Sequence, residues 1–450
     1  MAIPRESSGK SLSWRFILRA LKYRNYRLFF GGQGISLIGT WMQRLAVSWL
    51  IYRLTGSPFL LGIAGFASQI PTFILAPVAG VVADRYNRMR ILILTQTLAM
   101  FQALILAVLV LTNTVEVWHI LALSLALGII NAFDMPARQS LVVEMIENRE
   151  DLGNAIALNS SMFNGARLIG PSLGGILIAT VGEGICFLIN GLSFIAVIIA
   201  LLYMKINAHP AENKGTRFLQ GLKEGFVYAF GFLPIRSILL LLSLVSLMGM
   251  QYAVLMPIFA KDILHGGPNT LGFLMAASGI GALMGALYLA SRHSVIGLGK
   301  WIPLATGTLG CGLIIFSFSR FFWLSLVLML PIGFGLMVQM AASNTVLQTI
   351  VDDDKRGRLM SIYAMAFMGV TPLGSLLAGS MASHFGAPAT LIVGGAGCIL
   401  GAAAFARELP RIRKQIRPIY QRKGILPQTI PVDESLGGMP ASPGQGERPI

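Results

Sequence analysis

Long apolar runs separated by short polar turns recur along nearly the whole chain. Each run is about 20 residues, the length of α-helix that crosses the hydrocarbon core of a bilayer. The turns mark six runs at about 28–52, 58–82, 91–111, 117–138, 154–180 and 184–205. A polar stretch at 206–235 interrupts them, and six more follow at about 236–261, 270–291, 300–318, 322–347, 358–383 and 388–406. Runs of this length with few charges read as membrane helices, whose backbone groups are satisfied within each segment. The pattern predicts an all-α polytopic membrane protein with twelve transmembrane helices.

The flanking stretches read differently. Residues 1–27 are polar and basic, with Trp14, Phe16, Ile17 and Leu21 interleaved, as in an amphipathic helix lying on a membrane surface. In 206–235, Arg217, Phe218, Leu219, Leu222, Phe226 and Val227 recur at helical spacing and predict an amphipathic linker helix. Residues 407–450 turn basic and then Pro/Gly-rich, and read as a disordered tail. The chain thus divides into 1–27, a first six-helix half 28–205, the linker 206–235, a second half 236–406 and the tail 407–450.

The halves echo one another. Leu61-Gly62 aligns with Leu271-Gly272, Gly128 to Gln139-Ser140 with Gly333 to Asn344-Thr345, and Pro171 with Pro372. The offsets are 210, 205 and 201, so the second half repeats the first. Two pseudo-symmetric six-helix halves related by an axis along the membrane normal are expected.

Composition agrees with the pattern: 55% of residues are hydrophobic, 12% are charged, mean hydropathy is +0.71 and there are 50 Gly. A formal charge of +16 raises the question of nucleic acid. The distribution answers it. Of 35 Lys and Arg residues, 30 fall on one side of the twelve-helix topology, and 3 (Arg53, Lys261, Arg320) on the other. Arg44 and Arg167 lie within the membrane segments. Basic loops stay cytoplasmic, so both termini are expected inside, facing the inner leaflet, with no nucleic-acid partner. Cys186, Cys311 and Cys398 lie in apolar runs and match no zinc or redox spacing. The first apolar run is too long for a cleavable signal peptide.

The sharpest local signal is Gly80-Val81-Val82-Ala83-Asp84-Arg85-Tyr86-Asn87-Arg88-Met89-Arg90, a tight turn between the second and third segments. Gly80 is expected to let the second helix pack closely. The spacing G-x-x-x-D-R-x-x-R-x-R resembles the loop 2–3 signature of the major facilitator superfamily of secondary transporters. A second motif, Gly165-Ala166-Arg167-Leu168-Ile169-Gly170-Pro171-Ser172-Leu173-Gly174-Gly175, kinks the fifth segment at Pro171. Gly165, Gly170, Gly174 and Gly175 are expected to admit a close neighbour. Its G-P-x-x-G-G core resembles the antiporter motif of facilitator exporters. Asn131-Ala132-Phe133-Asp134-Met135-Pro136-Ala137-Arg138 and Lys355-Arg356-Gly357-Arg358 resemble a branch that includes enterobactin and macrolide exporters.

The resemblance implies export of a small amphipathic, siderophore- or drug-like molecule across a bacterial inner membrane, by alternating access and proton antiport. It implies a gate at Gly80, Asp84, Arg85, Arg88 and Arg90, with Asp84 meeting the positive end of the eleventh helix and Arg88 pairing with an acid such as Glu144. Import by the same fold, or a permease or receptor subunit needing a partner, are the alternatives.

Several residues carry candidate chemistry. Asp134 and Arg138, one turn apart, fit either a structural ion pair or a proton site. Arg44 and Arg167 are buried cations; with Gln33, Gln43, Asn131 and Asn164 they make the candidate substrate and proton path. An anionic or catechol-like substrate would offset their charge; alternatively both snorkel or bond to backbone carbonyls at the kink. Gln69, Gln96, Gln102, Asn159, Asn190, Gln251, Tyr252, Gln339 and Asn344 are either further lining or glue between helices. There is no G-x-x-x-x-G-K-[ST] loop: Gly299-Lys300 is followed by Trp301. His119 and His293 have no companions at metal-ligand spacing, so neither metal nor cofactor is expected. The chain is expected not to be an enzyme. A monomer is compatible with the sequence, which does not fix the oligomeric state.

Overall fold

The computed structural model describes residues 18–205, 218–292 and 294–427. The expectations for 1–17, Arg217, His293 and the tail beyond 427 lie outside them. The described chain is helical, in twelve long rods. The first six are α1 (Arg24–Thr55), α2 (Pro58–Arg85), α3 (Arg88–Leu111), α4 (Val117–Glu144), α5 (Arg149–Val181) and α6 (Glu183–Tyr203). The second six are α7 (Leu233–Ile263), α8 (Pro268–Ala290), α9 (Leu298–Phe318), α10 (Phe322–Ile350), α11 (Arg356–Phe385) and α12 (Ala387–Arg422). Among the described residues, ten rods are long and apolar enough to cross a membrane. The other two, α1 and α5, hold Arg44 and Arg167 respectively.

Packing repeats with the sequence. In the first half α2 packs on α4, and α3 on both α4 and α6; in the second α8 packs on α10, and α9 on both α10 and α12. Across the halves α5 lies against α8 and α2 against α11, the same contact seen from each side of an approximate two-fold.

The buried core shows which end is closed. One face of the bundle carries both ends of the described chain and most of the loop cations; we call it the basic face. Near the opposite face one apolar cluster draws on both halves, including Trp49, Leu50 and Leu61 from the first and Ile258, Phe259 and Leu271 from the second. Toward the basic face the core splits in two. Phe29, Leu92, Leu141 and Val197 cluster within the first half, and Ile238, Ile302, Leu347 and Leu359 within the second. The halves are sealed at one end and parted at the other.

Close backbone approach makes the seal. A Cβ on Gly175 would lie 2.6 Å from the Pro268 carbonyl oxygen, and one on Gly272 would lie 2.5 Å from that of Pro171. Gly62 and Gly379 meet in the same way on the α2–α11 seam, where Cα of Gly62 is 2.7 Å from a Cβ built on Gly379. Gly170 and Gly174 instead admit α1, facing Trp41 and Met42. The aligned glycines Gly62 and Gly272 therefore seat the two seams.

Three expectations need correction. Gly80 and Gly165 have no neighbour within 4 Å of a built Cβ; both lie in the parted half of the bundle and face open space. Disorder does not begin at 407. Helix α12 runs on to Arg422 because Ile412, Ile416 and Tyr420, at i, i+4 and i+8, bury one face against the second half's basic-side core. Lys423 then caps α10 by donating to the Thr349 and Val351 carbonyls, at 2.9 and 2.8 Å. The linker forms the helix Phe218–Gly231, held to α11 by Glu224 and Arg358 at 2.7 Å.

Candidate functional site

The parted halves leave a vestibule that opens at the basic face. Near its roof, below the seal, stands Arg44. Met42 and Leu45 on the same turn belong to the sealing cluster, while Arg44 points away from it. Its side chain is accessible yet surrounded by protein, as expected for a cavity wall. The guanidinium lies over the Trp41 ring, 4.7 Å from its centroid. Trp41 in turn meets Phe163 of α5 edge to face, with centroids 5.7 Å apart at 72°. Arg167, one turn beyond Phe163, is half-buried and within Coulombic reach of Arg44. Among the described residues neither arginine makes an ion pair or hydrogen bond, so the backbone-carbonyl alternative does not hold for them here. Trp41, placed three residues before Arg44 at helical spacing, is the partner the sequence reading missed.

The other candidates divide. Gln43 is buried away from the vestibule: its amide donates to Gln102 at 2.9 Å and its oxygen accepts from Asn190 at 2.6 Å. This chain ties α1, α3 and α6 together, so Gln43, Gln102 and Asn190 act as glue. Gln33 is also buried on α1. Asn131 is half-buried on α4, and Asn164 donates to the Ser160 carbonyl of its own helix at 2.9 Å.

Asp134 is 3% exposed and faces α3. One carboxylate oxygen accepts from the Thr95 hydroxyl at 3.0 Å and the Gln96 amide at 2.6 Å; the other is bound by Arg138. A buried carboxylate so fully occupied holds two helices together.

At the basic face Arg88 pairs with Glu144 of α4 and also donates to the Ala83 carbonyl at 3.3 Å. Asp84, Arg85 and Arg90 are exposed in this open arrangement. On the second half's wall, Asn344, Thr345, Gln348 and Thr349 of α10 line a recess of about 470 Å³ with Arg356, Lys423 and Ile425.

At the opposite end the two halves share polar contacts as well as apolar ones. The Tyr52 hydroxyl of α1 donates to Asp262 of α7, and Lys261 lies over the Tyr52 ring at 5.5 Å. Arg53 pairs with Glu183 at 2.7 Å within the first half. Nothing in the sequence pattern singles out Tyr52 or Asp262, since their contact joins positions 210 residues apart.

Comparison with known proteins places this geometry. A family described as transmembrane secretion effector matches residues 18–423. The staphyloferrin A transporter of Staphylococcus aureus is 26% identical over 374 residues, 82% of this chain and 92% of that protein. The multidrug efflux pump Tap of Mycolicibacterium fortuitum is 26% identical, covering 85% and 93%. Macrolide efflux protein A of Streptococcus pyogenes is 21% identical, covering 81% and 92%. Among solved structures, a bacterial homolog of the human lysosomal transporter Spinster, inward-facing and unoccupied, shares the fold at a TM-score of 0.68 and 15% identity, covering 88% and 98%. A POT family transporter shares it at 0.69 and 11%, covering 86% and 96%. The chain belongs to the transmembrane secretion effector family of the major facilitator superfamily; it is a multi-pass membrane transporter of small molecules and not an enzyme.

Proposed function

We propose that this transporter exports a small siderophore- or drug-like molecule from the bacterial cytoplasm by alternating access, driven by proton antiport. All twelve rods cross the inner membrane, the basic face is cytoplasmic with both termini there, and the protein works as a monomer. The observation that carries the reading is the division of the core: one cluster shared near the outer face, two separate ones near the inner face. A vestibule so placed loads cargo from the cytoplasm while the Gly175–Gly272 and Gly62–Gly379 seams hold the outside shut.

The relatives' printed cargoes, a siderophore, drugs and macrolides, support efflux and a cargo of that size. The α5 motif supports the same direction, because its Gly-Pro core sits at the outer seal. Turnover then requires the seams to part and the inner face to close. Gly80 and Gly165, which face open space here, come to pack in that second state. Asp84 then meets the positive N-terminal end of α11, and Arg88–Glu144 holds α3 to α4 beneath it. Protons enter at a carboxylate, for which the candidates are Asp134, buried against α3, and Asp262, bound by Tyr52 of the other half.

The test is transport by the purified chain alone in liposomes with an imposed pH gradient, using staphyloferrin A and a macrolide as probes. Accumulation that follows the gradient and collapses with a proton ionophore is expected. Flux that ignores the gradient, or that appears only with ATP and a partner protein, refutes antiport.

A further inference from the structure

The exporter reading leaves the charge of the cargo open, and the roof of the vestibule speaks to it. Two guanidinium groups stand there within Coulombic reach of each other, on α1 and α5. Ionisable groups inside a membrane protein are costly unless partnered, and they mark ligand paths. Among the described residues neither has an acidic partner. The buried acids of this half are engaged elsewhere: Asp134 has both oxygens occupied and faces α3, Asp151 binds Lys22 and Arg19, and Glu183 binds Arg53. From 237 to 260, 263 to 291, 301 to 319, 321 to 351 and 359 to 406 the second half has no Asp or Glu at all. The opposing wall of the vestibule therefore offers no acid, and the recess at its mouth adds Arg356 and Lys423 to Asn344, Thr345 and Gln348. A counter-anion must come from solution.

The arginines are also dressed for a flat ligand. Arg44 is laid over Trp41, which fixes the plane of the guanidinium and leaves its edge N–H donors free for a bidentate oxyanion. Phe163 packs on Trp41 in a T-shaped pair and is 44% exposed, so an aromatic ring stands accessible beside the charge.

We propose that Arg44 and Arg167, with Trp41 and Phe163, form a binding site for an organic anion: a carboxylate or comparable oxyanion attached to an aromatic or other planar body. The anion bridges the two guanidinium groups, and the planar body lies against Phe163 and Trp41. The same site repels a monocation, so cationic amphipaths are poor cargo for this chain. This rests on the exporter reading for the word cargo, but the site is defined by binding alone.

Binding to the full-length chain in detergent, without any gradient, separates the two. Three naphthalene probes matched in size serve: a carboxylate, its neutral amide and an ammonium. The carboxylate is expected to bind at least tenfold more tightly than the ammonium, with the amide between them. Arg44→Gln and Arg167→Gln should each weaken the carboxylate about tenfold and leave the amide within twofold. Trp41→Leu should weaken carboxylate and amide alike. Arg44→Lys, which keeps the charge, should retain part of the carboxylate preference and guards against a Gln variant that does not fold. Tighter binding of the ammonium, no binding of the carboxylate, or a carboxylate affinity indifferent to both Gln substitutions overturns the site. Loss of gradient-driven flux with carboxylate binding intact would count against the exporter reading and leave the site standing.

Discussion

The two halves share one plan and have divided its tasks. The first half keeps its charge inside: Arg44, Asp134, Arg138 and Arg167 all lie on its helices, and its rods are regular α-helix from end to end. The membrane runs of the second half carry charge only at their ends (Arg236, Lys261, Lys300 and Arg358), but its rods are broken by π-helical turns at Val245–Gly249 and Phe259–Ile263 in α7 and at Met365–Gly369 in α11. Such turns free backbone carbonyls, bend helices and gather at functional sites. Gln251 satisfies one break and spans to the helix beyond another, donating to the carbonyls of Ser246 at 2.7 Å and Thr371 at 3.2 Å while accepting from Ser375 at 3.0 Å. Ser375 also lies directly against Gly62 and Gly65 of α2. Chemistry has stayed in one repeat, and bending beside the seam has moved to the other.

The seam is where the halves are most alike, and breaking it should have the largest effect. Gly175→Val or Gly272→Val puts carbon into space already filled by a carbonyl oxygen 2.6 or 2.5 Å away. Either should abolish the closed outer face and reduce transport to a few per cent. Spin-label distances across the outer ends of α5 and α8 should lengthen. Gly165→Val on the same helix has open space here, so it should leave those distances unchanged and hinder only closure of the other face. If Gly165→Val and Gly175→Val shifted the same distances, the division between sealed and parted ends would be wrong.

Asp134 tests whether the first half's charges are chemistry or scaffold. Asp134→Asn strands Arg138 beside buried Gln96, and losing one partner of such a pair costs about 3–5 kcal/mol. The thermal midpoint in detergent should drop clearly, and Asp134→Asn with Arg138→Gln should recover most of it. Everted vesicles supply the second readout. Substrate-driven proton movement preserved in the double variant assigns the proton elsewhere, with Asp262 next in line; its loss in a protein of restored stability assigns the proton to Asp134.

These two sites show how far the sequence could be read. Segment lengths, the basic bias of one face and the repeat all rest on local chemistry, and they led to the right fold. The α5 glycines were legible as a packing surface, but which of them pack depends on the state of the bundle. Gly165 and Gly170 look alike in sequence; only the open vestibule separates them. Gln43 and Arg44 are adjacent, and a 100° turn sends one into the α1–α3–α6 core and the other into the cavity. In the tail, the Pro/Gly-rich end hides the Ile412, Ile416 and Tyr420 stripe that continues α12. The Tyr52–Asp262 contact leaves no local trace at all.

A smaller effect is expected at the hinge of the second half. Gln251→Leu removes two bonds between α7 and α11 and one within α7, the interhelical ones each worth about 0.6 kcal/mol on average in a membrane. Stability should fall by roughly 1–2 kcal/mol, with transport slowed severalfold because α7 and α11 lose a common pivot. Gln43→Leu, the matching loss in the first half, should cost similar stability with little change in rate. Equal slowing by both would remove the claim that bending belongs to the second half.

The smallest effect concerns how each half holds its own chain end. The second half uses an apolar stripe, Ile412, Ile416 and Tyr420, with Lys423 on backbone carbonyls. The first uses one carboxylate: Asp151, in the first turn of α5, binds Lys22 at 2.6 Å and Arg19 at 3.1 Å and accepts from the Tyr23 hydroxyl at 2.8 Å. The Lys22 hydrogen bond first, then that of Tyr23, hold the Asp151 carboxyl below its ordinary range, and the same bond raises Lys22. A lowered carboxyl stabilises the fold above the unfolded-state value of about 3.9 and loses that contribution as pH falls through its own lower value. A raised lysine behaves oppositely, and its contribution fades only as pH climbs past 10.5. The first-half tether should therefore be constant from pH 5 to 9 and weaken below about pH 4, whereas the second-half tether should not respond to acid. Limited proteolysis after Lys22 and after Lys423 reads the two separately. Asp151→Asn should speed the first cut severalfold at neutral pH, leave the second unchanged and alter transport less than twofold. Acid that released both ends together would mean that the second half also relies on a carboxylate, with Asp352, 3.1 Å from Arg422, the one to replace.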